Sequence, residues 1–512
     1  MNQKPHLPAI LDYVDVLIVG AGMTGIGMAY HITKKQPGKS IAIVDSRDAI
    51  GGTWDLFRYP GIRSDTDLHT FGFEFKPWTS DNTIADADEI LSYLNEAIDE
   101  NGLRSRIHLG NKVIRADFSS SEGRWHVTLE RTTDSLQFEV TCRWLVSGAG
   151  YYDHENGYAP EFEGKADFAG EIVHPQHWPA DLDYSGKKVV VIGSGATAVT
   201  ILPALSEKVA HVTMLQRSPG YVLPAPRQDP IANTLRKVLP ERAAYVTTRT
   251  ININKQILLY NASKRFPGQM RKLIRKVNVS ALPDGYEVDT HFNPKYGPWD
   301  QRMCVVPDSD MFKAIADGAA SVVTDTIVRF TETGIVLASG RQLDADIIVT
   351  ATGLNMVPFG KIELQVDGVK VDLNDQLMYK SIMVSGVPNF VFVVGYANHA
   401  WTLKVDLVAD HFCRMLGYME SNGVDVATPV VDDPTLTTRP YIEMGSGYVS
   451  RAMHLFPKKG SHGPWTADQD YRKDRVRLGK EPIDDPALRF ASVACSEPAA
   501  GGNPKVASAT VV

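Results

Sequence analysis

Two short runs of apolar residues, at positions 14–19 and 188–192, each lead into a glycine-rich turn and then into a segment with helical spacing of apolar residues. Short, mostly apolar runs that end at a glycine turn are typical of strands buried on both faces of a parallel sheet. Each unit closes on a second apolar run that ends in small residues, at 144–150 and 346–353. The repeat therefore predicts an α/β fold with two doubly wound domains.

Two further segments depart from this alternation of strand and helix. Apolar and polar residues alternate at 125–130 and 136–141, which predicts an antiparallel β-meander inserted in the first unit. From about residue 226 to 310 the apolar period is helical, which predicts a helical insertion in the second unit. The insertion is rich in basic residues, including Lys264, Arg265, Arg271, Lys272, Arg275 and Lys276. We interpret them as a solvated helix face, and the alternatives are a surface for an acidic membrane or a cofactor phosphate.

Composition narrows the class of protein. A chain of 512 residues with 43% hydrophobic and 22% charged residues is expected to form two or three domains of a soluble enzyme. Its formal net charge of −7 argues against nucleic acid as the main partner. The four cysteines include no C-x-x-C pair, so neither a redox disulfide nor a metal site is expected. Neither a secretory signal nor an integral membrane segment is indicated, so we predict a cytoplasmic location.

The first glycine turn has the residues that hold the pyrophosphate of a dinucleotide in Rossmann-like domains. Gly20 allows a tight turn, Gly22 lets the backbone approach a phosphate, and Gly25 lets the next helix pack closely on the strand. The N-terminus of that helix then directs its positive end at the phosphates. The strand at 41–44 ends in Asp45, where an acid can bind ribose hydroxyls. The alternative is a glycine turn without a ligand.

The second glycine turn resembles the first but carries a different charge. Its predicted binding residues are Gly193, Ser194, Gly195, Thr197 and Ala198. At the position that matches Asp45 it has Arg217, followed by Ser218. An acid there would repel the 2′-phosphate of NADP, whereas a guanidinium forms charge-assisted hydrogen bonds with it. NADPH is therefore favoured over NADH, and the alternative is an exposed arginine on a surface turn.

Two aromatic-rich stretches supply candidate catalytic groups. Residues 51–65 combine glycine, proline, tryptophan and arginine, which is typical of a binding loop, and place Arg63 and Asp65 on the nicotinamide side. Residues 293–307 contain Arg302, whose permanent charge can stabilise an anionic peroxide and the tetrahedral adduct that a peroxide forms with a carbonyl. Asp65 is the candidate partner that orients Arg302. From the residues alone, a structural salt bridge is the favoured alternative for Arg302.

The segment between the two units carries the most specific motif. Residues 168–179 fit the pattern F-x-G-x-x-x-H-x-x-x-W-P, and residues 51–65 fit G-G-x-W-x-x-x-x-Y-P-G-x-x-x-D at every defined position. Both patterns resemble signatures of the flavin-dependent Baeyer–Villiger monooxygenases. The likeness extends from residue 14 to about residue 465 and is closest to the ethionamide-activating subgroup.

The resemblance implies FAD and NADPH as cofactors, O2 as co-substrate, and a small ketone or thioether as substrate. Ketones would be converted to esters or lactones through a C4a-peroxyflavin and a Criegee adduct, with sulfoxidation as a side activity. Arg302 then corresponds to the active-site arginine, Asp65 to its partner, and His174 to the histidine that couples domain motion to catalysis. The predicted FAD-contacting positions are Thr24, Asp45, Thr53, Trp54, Asp55 and Val113, joined in the binding loop by Gly52, Arg63, Ser64 and Asp65. The NADP-contacting positions are Thr197, Ala198, Arg217 and Ser218.

These assignments predict an order of domains. The FAD-binding domain is formed by residues 1–150 and 386–495, and the NADP-binding domain by 151–225 and 320–385. The helical insertion occupies 226–319. The tail at 496–512, rich in Ala, Gly, Pro and Ser, is predicted to be disordered.

One departure from the family pattern and three other classes of protein bear on this interpretation. Many relatives carry a lysine where this chain has Gln301, but the ethionamide-like subgroup shares the glutamine. NADPH therefore stays the expected cofactor, with Arg217 contributing more of the preference over NADH.

The nearest alternative is a flavin monooxygenase that oxidises sulfur or nitrogen, and Trp178 argues against it. A disulfide reductase needs a cysteine pair beside the flavin, which the sequence lacks. A non-catalytic flavin-binding sensor is disfavoured by the presence of both Arg302 and Asp65.

Overall fold

The computed structural model describes residues 12–493, and the predicted tail at 496–512 lies outside this range. The strands are β1 (Tyr13–Val19), β2 (Ile41–Val44), β3 (Ile107–His108), β4 (Asn111–Ser119), β5 (Arg124–Arg131), β6 (Gln137–Ser147), β7 (Tyr152–Gly157), β8 (Glu171–Val173), β9 (Lys188–Ile192), β10 (His211–Gln216), β11 (Val222–Ala225), β12 (Cys304–Pro307), β13 (Ala320–Thr324), β14 (Ile327–Thr331), β15 (Gly334–Leu337), β16 (Gln342–Asp344), β17 (Ile347–Thr350), β18 (Leu354–Met356), β19 (Glu363–Val366), β20 (Val369–Lys370), β21 (Met378–Tyr379), β22 (Met383–Val384), β23 (Phe390–Phe392), β24 (Val426–Pro429), β25 (Thr438–Pro440), β26 (Lys458–Gly460) and β27 (Leu488–Ala491). The helices are α1 (Met23–Lys35), α2 (Thr53–Leu56), α3 (Leu68–Phe71), α4 (Ala87–Glu100), α5 (Ala196–Ser206), α6 (Pro230–Val238), α7 (Glu241–Arg265), α8 (Pro267–Ala281), α9 (Val288–His291), α10 (Asp310–Ala316), α11 (Trp401–Asn422), α12 (Gly447–Ala452) and α13 (Tyr471–Gly479).

The first unit is built on a nine-stranded sheet with the order β20-β19-β4-β5-β6-β1-β2-β3, and β23 pairs with β6. The neighbours β6, β1, β2 and β3 are parallel, as expected for a doubly wound domain. The strands β4, β5 and β6 run antiparallel to one another, which confirms the predicted meander. Leu17 and Ile18 at the centre of β1 are fully buried, because the sheet is covered on both faces.

The second unit is built on a five-stranded parallel sheet with the order β13-β10-β9-β17-β8. The apolar run predicted at 188–192 forms β9, at the centre of this sheet. Helix α5 follows it and packs against β10 through the core residues Val199, Leu202 and Met214. Both predicted doubly wound domains are thus confirmed.

A two-stranded antiparallel ribbon joins the two units. Strand β7 carries the chain out of the first unit, and β18 returns it, with Leu354 opposite Gly157. Soon after the ribbon, β19 pairs in parallel with β4, placing Glu363 beside Arg115 in the first sheet. The chain is therefore back in the first unit by Glu363, earlier than the predicted boundary at 386, because local sequence does not specify which sheet a strand joins.

The insertion between β11 and β12 is helical, as predicted, and its longest helix is bonded to the first unit. The guanidinium of Arg249, on α7, donates to the carbonyl oxygens of His69, Thr70 and Gly72 at 3.0, 3.0 and 2.7 Å. It also donates to the carboxylate of Asp406, on α11, at 3.1 Å. The predicted insertion ended at 319, but α10 packs on α5 and β13 and so belongs to the second unit. Within residues 12–493, none of these helices has the length and apolar character needed to cross a bilayer.

Candidate active site

Both glycine turns open onto one cavity of about 1380 Å³, which also reaches the loops at 51–66 and 445–448. Pockets that hold a drug-sized ligand have volumes of roughly 300–1,000 Å³. The cavity therefore has room for more than one such molecule. Residues 12–493 contain no group of His, Cys, Asp and Glu side chains arranged to hold a metal ion.

The first turn fits a dinucleotide because its backbone packs closely at two glycines, where no side chain could be accommodated. Gly20 has a φ of +102°, and a Cβ there would lie 2.6 Å from the carbonyl oxygen of Gly148. A Cβ on Gly25 would overlap the carbonyl oxygen of Gly20. Among the described residues, no side chain caps α1, which begins after Gly22. The unpaired amides at this helix N-terminus are therefore available to a phosphate.

Asp45 connects the first turn to the end of β2. Its carboxylate accepts hydrogen bonds from the backbone amides of Ala21, at 2.7 Å, and Arg47, at 2.9 Å. The residue is only 9% exposed, and it lines the cavity. Asp45 therefore fixes the turn from within the protein and also reaches the place where ribose hydroxyls are predicted to bind.

The second turn has the same shape as the first, but the charged residue beside it forms no ion pair with a described residue. Gly193 adopts a φ of +143°, and a Cβ there would overlap the carbonyl oxygen of Ala351. Helix α5 begins directly after Gly195, so its N-terminus also faces the cavity. Arg217 lines the cavity after β10, is exposed, and forms no ion pair with any described residue. Its charge is therefore available to an anion.

Asp65 and Arg302 come from distant parts of the chain and form a two-bond ion pair on the cavity wall. Nε of Arg302 donates to Oδ2 of Asp65 at 3.1 Å, and Nη2 donates to Oδ1 at 2.9 Å. The arginine side chain is 40% exposed and the aspartate 23%, and both line the cavity. Burial opposes the charge on Asp65, yet Arg302 holds the pKa of that carboxyl below its usual value. Asp65 in turn raises the pKa of the guanidinium, so the pair stays charged and oriented.

Neutral groups surround this ion pair on the cavity wall. Burial raises the pKa of Tyr152 well above its usual value, although Arg302 opposes that rise. Burial also raises the pKa of Tyr448, and it raises the pKa of the Cys304 thiol to about 12. These three groups are therefore uncharged near neutral pH. The local field is governed by the guanidinium and its carboxylate partner.

Most of the predicted cofactor residues line the cavity: Gly20, Gly22, Thr24, Asp45, Gly52, Thr53, Trp54, Arg63, Ser64, Asp65, Val113, Gly193, Ser194, Gly195, Thr197, Arg217 and Ser218. Gly25, Asp55 and Ala198 are not part of that lining. At Gly25 the backbone packs against Gly20 instead. The carboxylate of Asp55 pairs with Arg47 and Arg58. Ala198 is fully buried within α5. Their side chains therefore serve the protein interior, which differs from the predicted cofactor contacts.

His174 also lies outside the cavity lining and packs against the ribbon of β7 and β18. A Cβ on Gly157 would overlap its imidazole ring, and its Nδ1 accepts a hydrogen bond from the amide of Gln176 at 3.2 Å. Burial lowers the pKa of His174, and the backbone groups of Tyr158 and Gly353 oppose this shift. The ring thus contacts the connection between the two units, where the predicted coupling to domain motion would act.

Sequence reasoning missed several residues from the last third of the chain. Nε1 of Trp401, at the start of α11, donates to Oγ1 of Thr24 at 2.8 Å. Tyr396 and His399 line the cavity, and their rings lie 5.8 Å apart. The available signal was position, since this loop follows β23 of the first sheet and ligands bind at the carboxyl ends of such strands.

Two doubly wound units with glycine turns on one cavity, and an oriented arginine on its wall, define a flavin oxidoreductase that binds two dinucleotides. A sequence profile of the pyridine nucleotide-disulphide oxidoreductase family matches residues 17–256. The three cysteines in the described range, Cys142, Cys304 and Cys413, are nevertheless all free.

Comparison with known proteins identifies the family. The FAD-containing monooxygenase EthA of Mycobacterium tuberculosis (strain CDC 1551 / Oshkosh) is 49% identical over 485 residues, which is 94% of this chain and 98% of that protein. The probable FAD-binding monooxygenase AlmA of Acinetobacter baylyi (strain ATCC 33305 / BD413 / ADP1) is 46% identical, over 93% of this chain and 96% of AlmA. The chain belongs to the family of EthA-like FAD-containing monooxygenases. The predicted enzyme class, a flavin monooxygenase, is confirmed.

Solved structures confirm the fold. An oxidized steroid monooxygenase bound to NADP is similar in structure, with a TM-score of 0.72 and 23% sequence identity. The match covers 94% of this chain and 100% of the steroid monooxygenase chain. An open form of cyclohexanone monooxygenase has a TM-score of 0.72 and 21% identity, over 94% and 100% of the two chains. At these identities the likeness establishes the shared architecture.

Proposed function

We propose that this enzyme binds FAD at the first glycine turn and NADPH at the second, and uses O2 to convert ketones to esters or lactones. Oxidation of thioethers to sulfoxides is proposed as a side activity. The observation that carries the proposal is the ion pair between Asp65 and Arg302 on the wall of the cavity that both turns share. FAD, when bound and reduced by NADPH, supplies the activation of O2.

Arg302 is suited to a substrate whose oxygen becomes negatively charged. Asp65 engages Nε and Nη2, and Nη1 has no hydrogen-bond partner among the described residues. This nitrogen is available to the carbonyl oxygen of a ketone, which gains negative charge as its carbon is attacked. A cation that is already oriented stabilises that charge without reorganisation. The uncharged groups of Tyr152 and Tyr448 beside the pair do not compete for it.

The difference in charge between the two turns supports the assignment of the cofactors. The carboxylate of Asp45 would repel a 2′-phosphate, and FAD carries none. Arg217 is exposed and unpaired within the described range, so its guanidinium is free to hold the phosphate that distinguishes NADPH from NADH. Gln301 lines the cavity but adds no charge, which leaves the recognition of this phosphate largely to Arg217.

Replacing Arg302 with alanine tests the proposal. We expect ester formation to fall on the order of a thousandfold or more, because the developing oxyanion loses its cation. FAD should still bind, since Arg302 lies outside both glycine turns. The measurement is product analysis with 2-octanone, which gives hexyl acetate or methyl heptanoate, together with NADPH consumption and hydrogen peroxide release. Oxidation of a thioether should fall less, because sulfur does not become an oxyanion.

A matched control is Arg451→Ala, which removes another arginine from the cavity wall, one whose guanidinium stacks on Tyr158 at 3.5 Å. We expect this variant to keep far more ester formation than Arg302→Ala. An Arg302→Ala enzyme that makes either ester at near wild-type rate would contradict the proposal. A wild-type enzyme that yields sulfoxides but no esters would favour a monooxygenase that acts on sulfur or nitrogen.

A further inference from the structure

The helical insertion differs in charge from the rest of the chain. Residues 230–281, which form α6, α7 and α8, contain 11 Lys and Arg and a single acid, Glu241, for a net charge of +10. The whole chain has a net charge of −7, so the other residues together carry −17. Arg236, Arg249, Lys264 and Arg275 pair with acids outside the segment. The remaining cations still give the segment a positive field that favours an anionic partner.

The same segment exposes large apolar side chains. They are Ile231, Val238, Leu239, Val246, Ile251, Leu258, Phe266, Leu273 and Val279, nine of the fifteen exposed large apolar residues in the described range. Leu258 is 71% exposed, and Phe266 and Leu273 are each 54% exposed. Scattered exposed apolar residues are ordinary, but a concentration in one segment marks an interaction surface.

Basic and apolar residues share one face of each of the two longer helices. On α7, Ile251, Lys255 and Leu258 are four and three residues apart, so they lie on the same side. Helix α8 begins directly after the exposed Phe266 and repeats the arrangement. The hairpin surface, as we name it, comprises Ile251, Lys255, Leu258, Phe266, Lys272, Leu273, Lys276 and Val279.

The lysines of the hairpin surface are not neutralised by the protein. Lys255, Lys272 and Lys276 form no ion pair with any residue between 12 and 493, whereas the neighbouring Lys264 binds Asp300 at 2.8 Å. Uncompensated basic residues interleaved with exposed apolar ones fit the boundary between lipid headgroups and acyl chains. We propose that the hairpin surface docks this enzyme peripherally on a membrane that contains anionic lipids.

A second copy of the chain fits this surface less well. A symmetric dimer brings the same patch of both copies together, so it would place two clusters of unpaired lysines face to face. An anionic bilayer instead supplies the opposite charge across its whole surface, and it also accepts the apolar side chains. Both features of the hairpin surface are therefore satisfied by one partner.

Docking would place helix α7 between the membrane and the substrate cavity. Tyr260 lies two residues after Leu258 and therefore on the opposite side of α7. Its ring is 6.1 Å from that of His399, which lines the cavity. It is also 5.7 Å from Trp299, three residues before Arg302. An apolar ketone dissolved in the bilayer would thus be separated from the cavity by the width of one helix, about 10 Å. That consequence rests on the proposed function, whereas docking itself does not.

Flotation of the full-length protein with lipid vesicles tests the proposal. We expect binding to vesicles of phosphatidylcholine with about one third phosphatidylglycerol, and little binding to phosphatidylcholine alone. Raising the ionic strength from about 0.1 M to about 1 M shortens the Debye length from about 10 Å to about 3 Å, and should release most of the protein. Absence of binding to the anionic vesicles would overturn the proposal.

Variants with matched controls locate the surface. The double variant Lys272→Glu/Lys276→Glu should lower vesicle partitioning on the order of tenfold or more. Its control, Lys187→Glu/Lys208→Glu, changes the net charge equally at two exposed lysines elsewhere and should bind like the parent. Equal losses in both double variants would contradict the proposal, because net charge alone would then explain binding.

The apolar part of the surface has its own pair of variants. Leu258→Ser should weaken binding severalfold, because it removes apolar area from the bilayer. Val369→Ser is the control, since Val369 on β20 is 70% exposed and lies outside the insertion. Light scattering without vesicles completes the test. A parent oligomer that dissociates in the hairpin variants would show that the surface binds protein, and would overturn the proposal.

Discussion

Asp45 and Arg217 occupy the same place in the two units, at the end of the strand that follows each glycine turn, but the protein uses them in opposite ways. Asp45 is 9% exposed and accepts hydrogen bonds from two backbone amides. Arg217 is exposed and has no ion-pair partner in the described range. A buried carboxylate that holds a turn stabilises the fold before a ligand arrives, whereas an unpaired cation contributes when an anion binds. The carboxylate of Asp45 therefore contributes to the stability of the first unit, whereas the guanidinium of Arg217 in the second unit is available to bind an anionic ligand.

Asp45→Ala should give the largest effect on stability. The amides of Ala21 and Arg47 would lose their acceptor, and a buried donor without a partner costs about 1–3 kcal/mol. Ala21 is fully buried, so water does not replace the lost bond there. We expect the free energy of unfolding of the apoprotein to fall by about 2–4 kcal/mol, measured by urea denaturation. The flavin content of the purified protein should fall with it.

The control for this variant is Asp344→Ala, which removes an exposed carboxylate that pairs with Lys188 at 3.5 Å. Exposed pairs of this kind contribute little, so its stability should change by less than about 0.5 kcal/mol. If Asp45→Ala were as stable as this control, the carboxylate of Asp45 would not contribute to the free energy of unfolding. The contrast between the two turns would then be lost.

Arg217→Ala should act on cofactor choice and leave stability almost unchanged. We expect the KM for NADPH to rise on the order of tenfold to a hundredfold, because a hydrogen bond to a charged group contributes about 1.5–3 kcal/mol. The KM for NADH should stay nearly the same, since NADH lacks the phosphate. Steady-state kinetics with both cofactors measure this difference.

Arg329→Ala is a suitable control for Arg217→Ala, because Arg329 is an exposed arginine on β14, which also belongs to the predicted NADP-binding domain. It changes the net charge equally and should leave both Michaelis constants as they are. Equal increases for NADPH and NADH in the Arg217 variant would contradict its predicted contact with the 2′-phosphate. A role in general charge attraction would then explain the result.

His174→Ala should have the smallest effect of the three, since the ring contacts the ribbon between the units rather than the cavity. We expect FAD binding to be kept and the yield of ester per NADPH consumed to fall roughly tenfold, because misplacement of the reacting groups lowers productive turnover. Gly157→Ala should give a similar loss, since a Cβ there displaces the same ring. A His174→Ala protein that fails to fold or to hold flavin would show that the residue is structural.

Local sequence determined the strands of both units closely. The predicted strands at 41–44 and 188–192 have the same bounds in the structure, because each is a mostly apolar run with turn residues on both sides. The pairing of β19 with β4 was not predictable, since it joins residues about 250 positions apart. Which edge a short strand joins depends on packing in the complete fold, and no local pattern contains it.

The candidate site divides in the same way. Asp65 and Arg302 stand in motifs rich in glycine, proline and aromatic residues, and the structure brings them together as predicted. Trp401 and Tyr396 were missed because they belong to no glycine turn and reach the cavity only through the packing of α11 and β23 on the first sheet. The hydrogen bonds of Asp45 were also invisible, because a carboxylate at a strand end looks the same whether it binds a ribose or a backbone amide.

The hydrogen bonds of Arg249 attach helix α7 to the first unit, although the chain order places this helix within the second unit. The helical insertion leaves and re-enters the chain at β11 and β12, yet this guanidinium fastens α7 to three carbonyl oxygens and one carboxylate of the first unit. Helix α7 is therefore held by the first unit, whereas α8 packs on β11 and α9 on β13. The contact of Tyr260 with His399 beside the cavity therefore joins two elements that are both attached to the first unit.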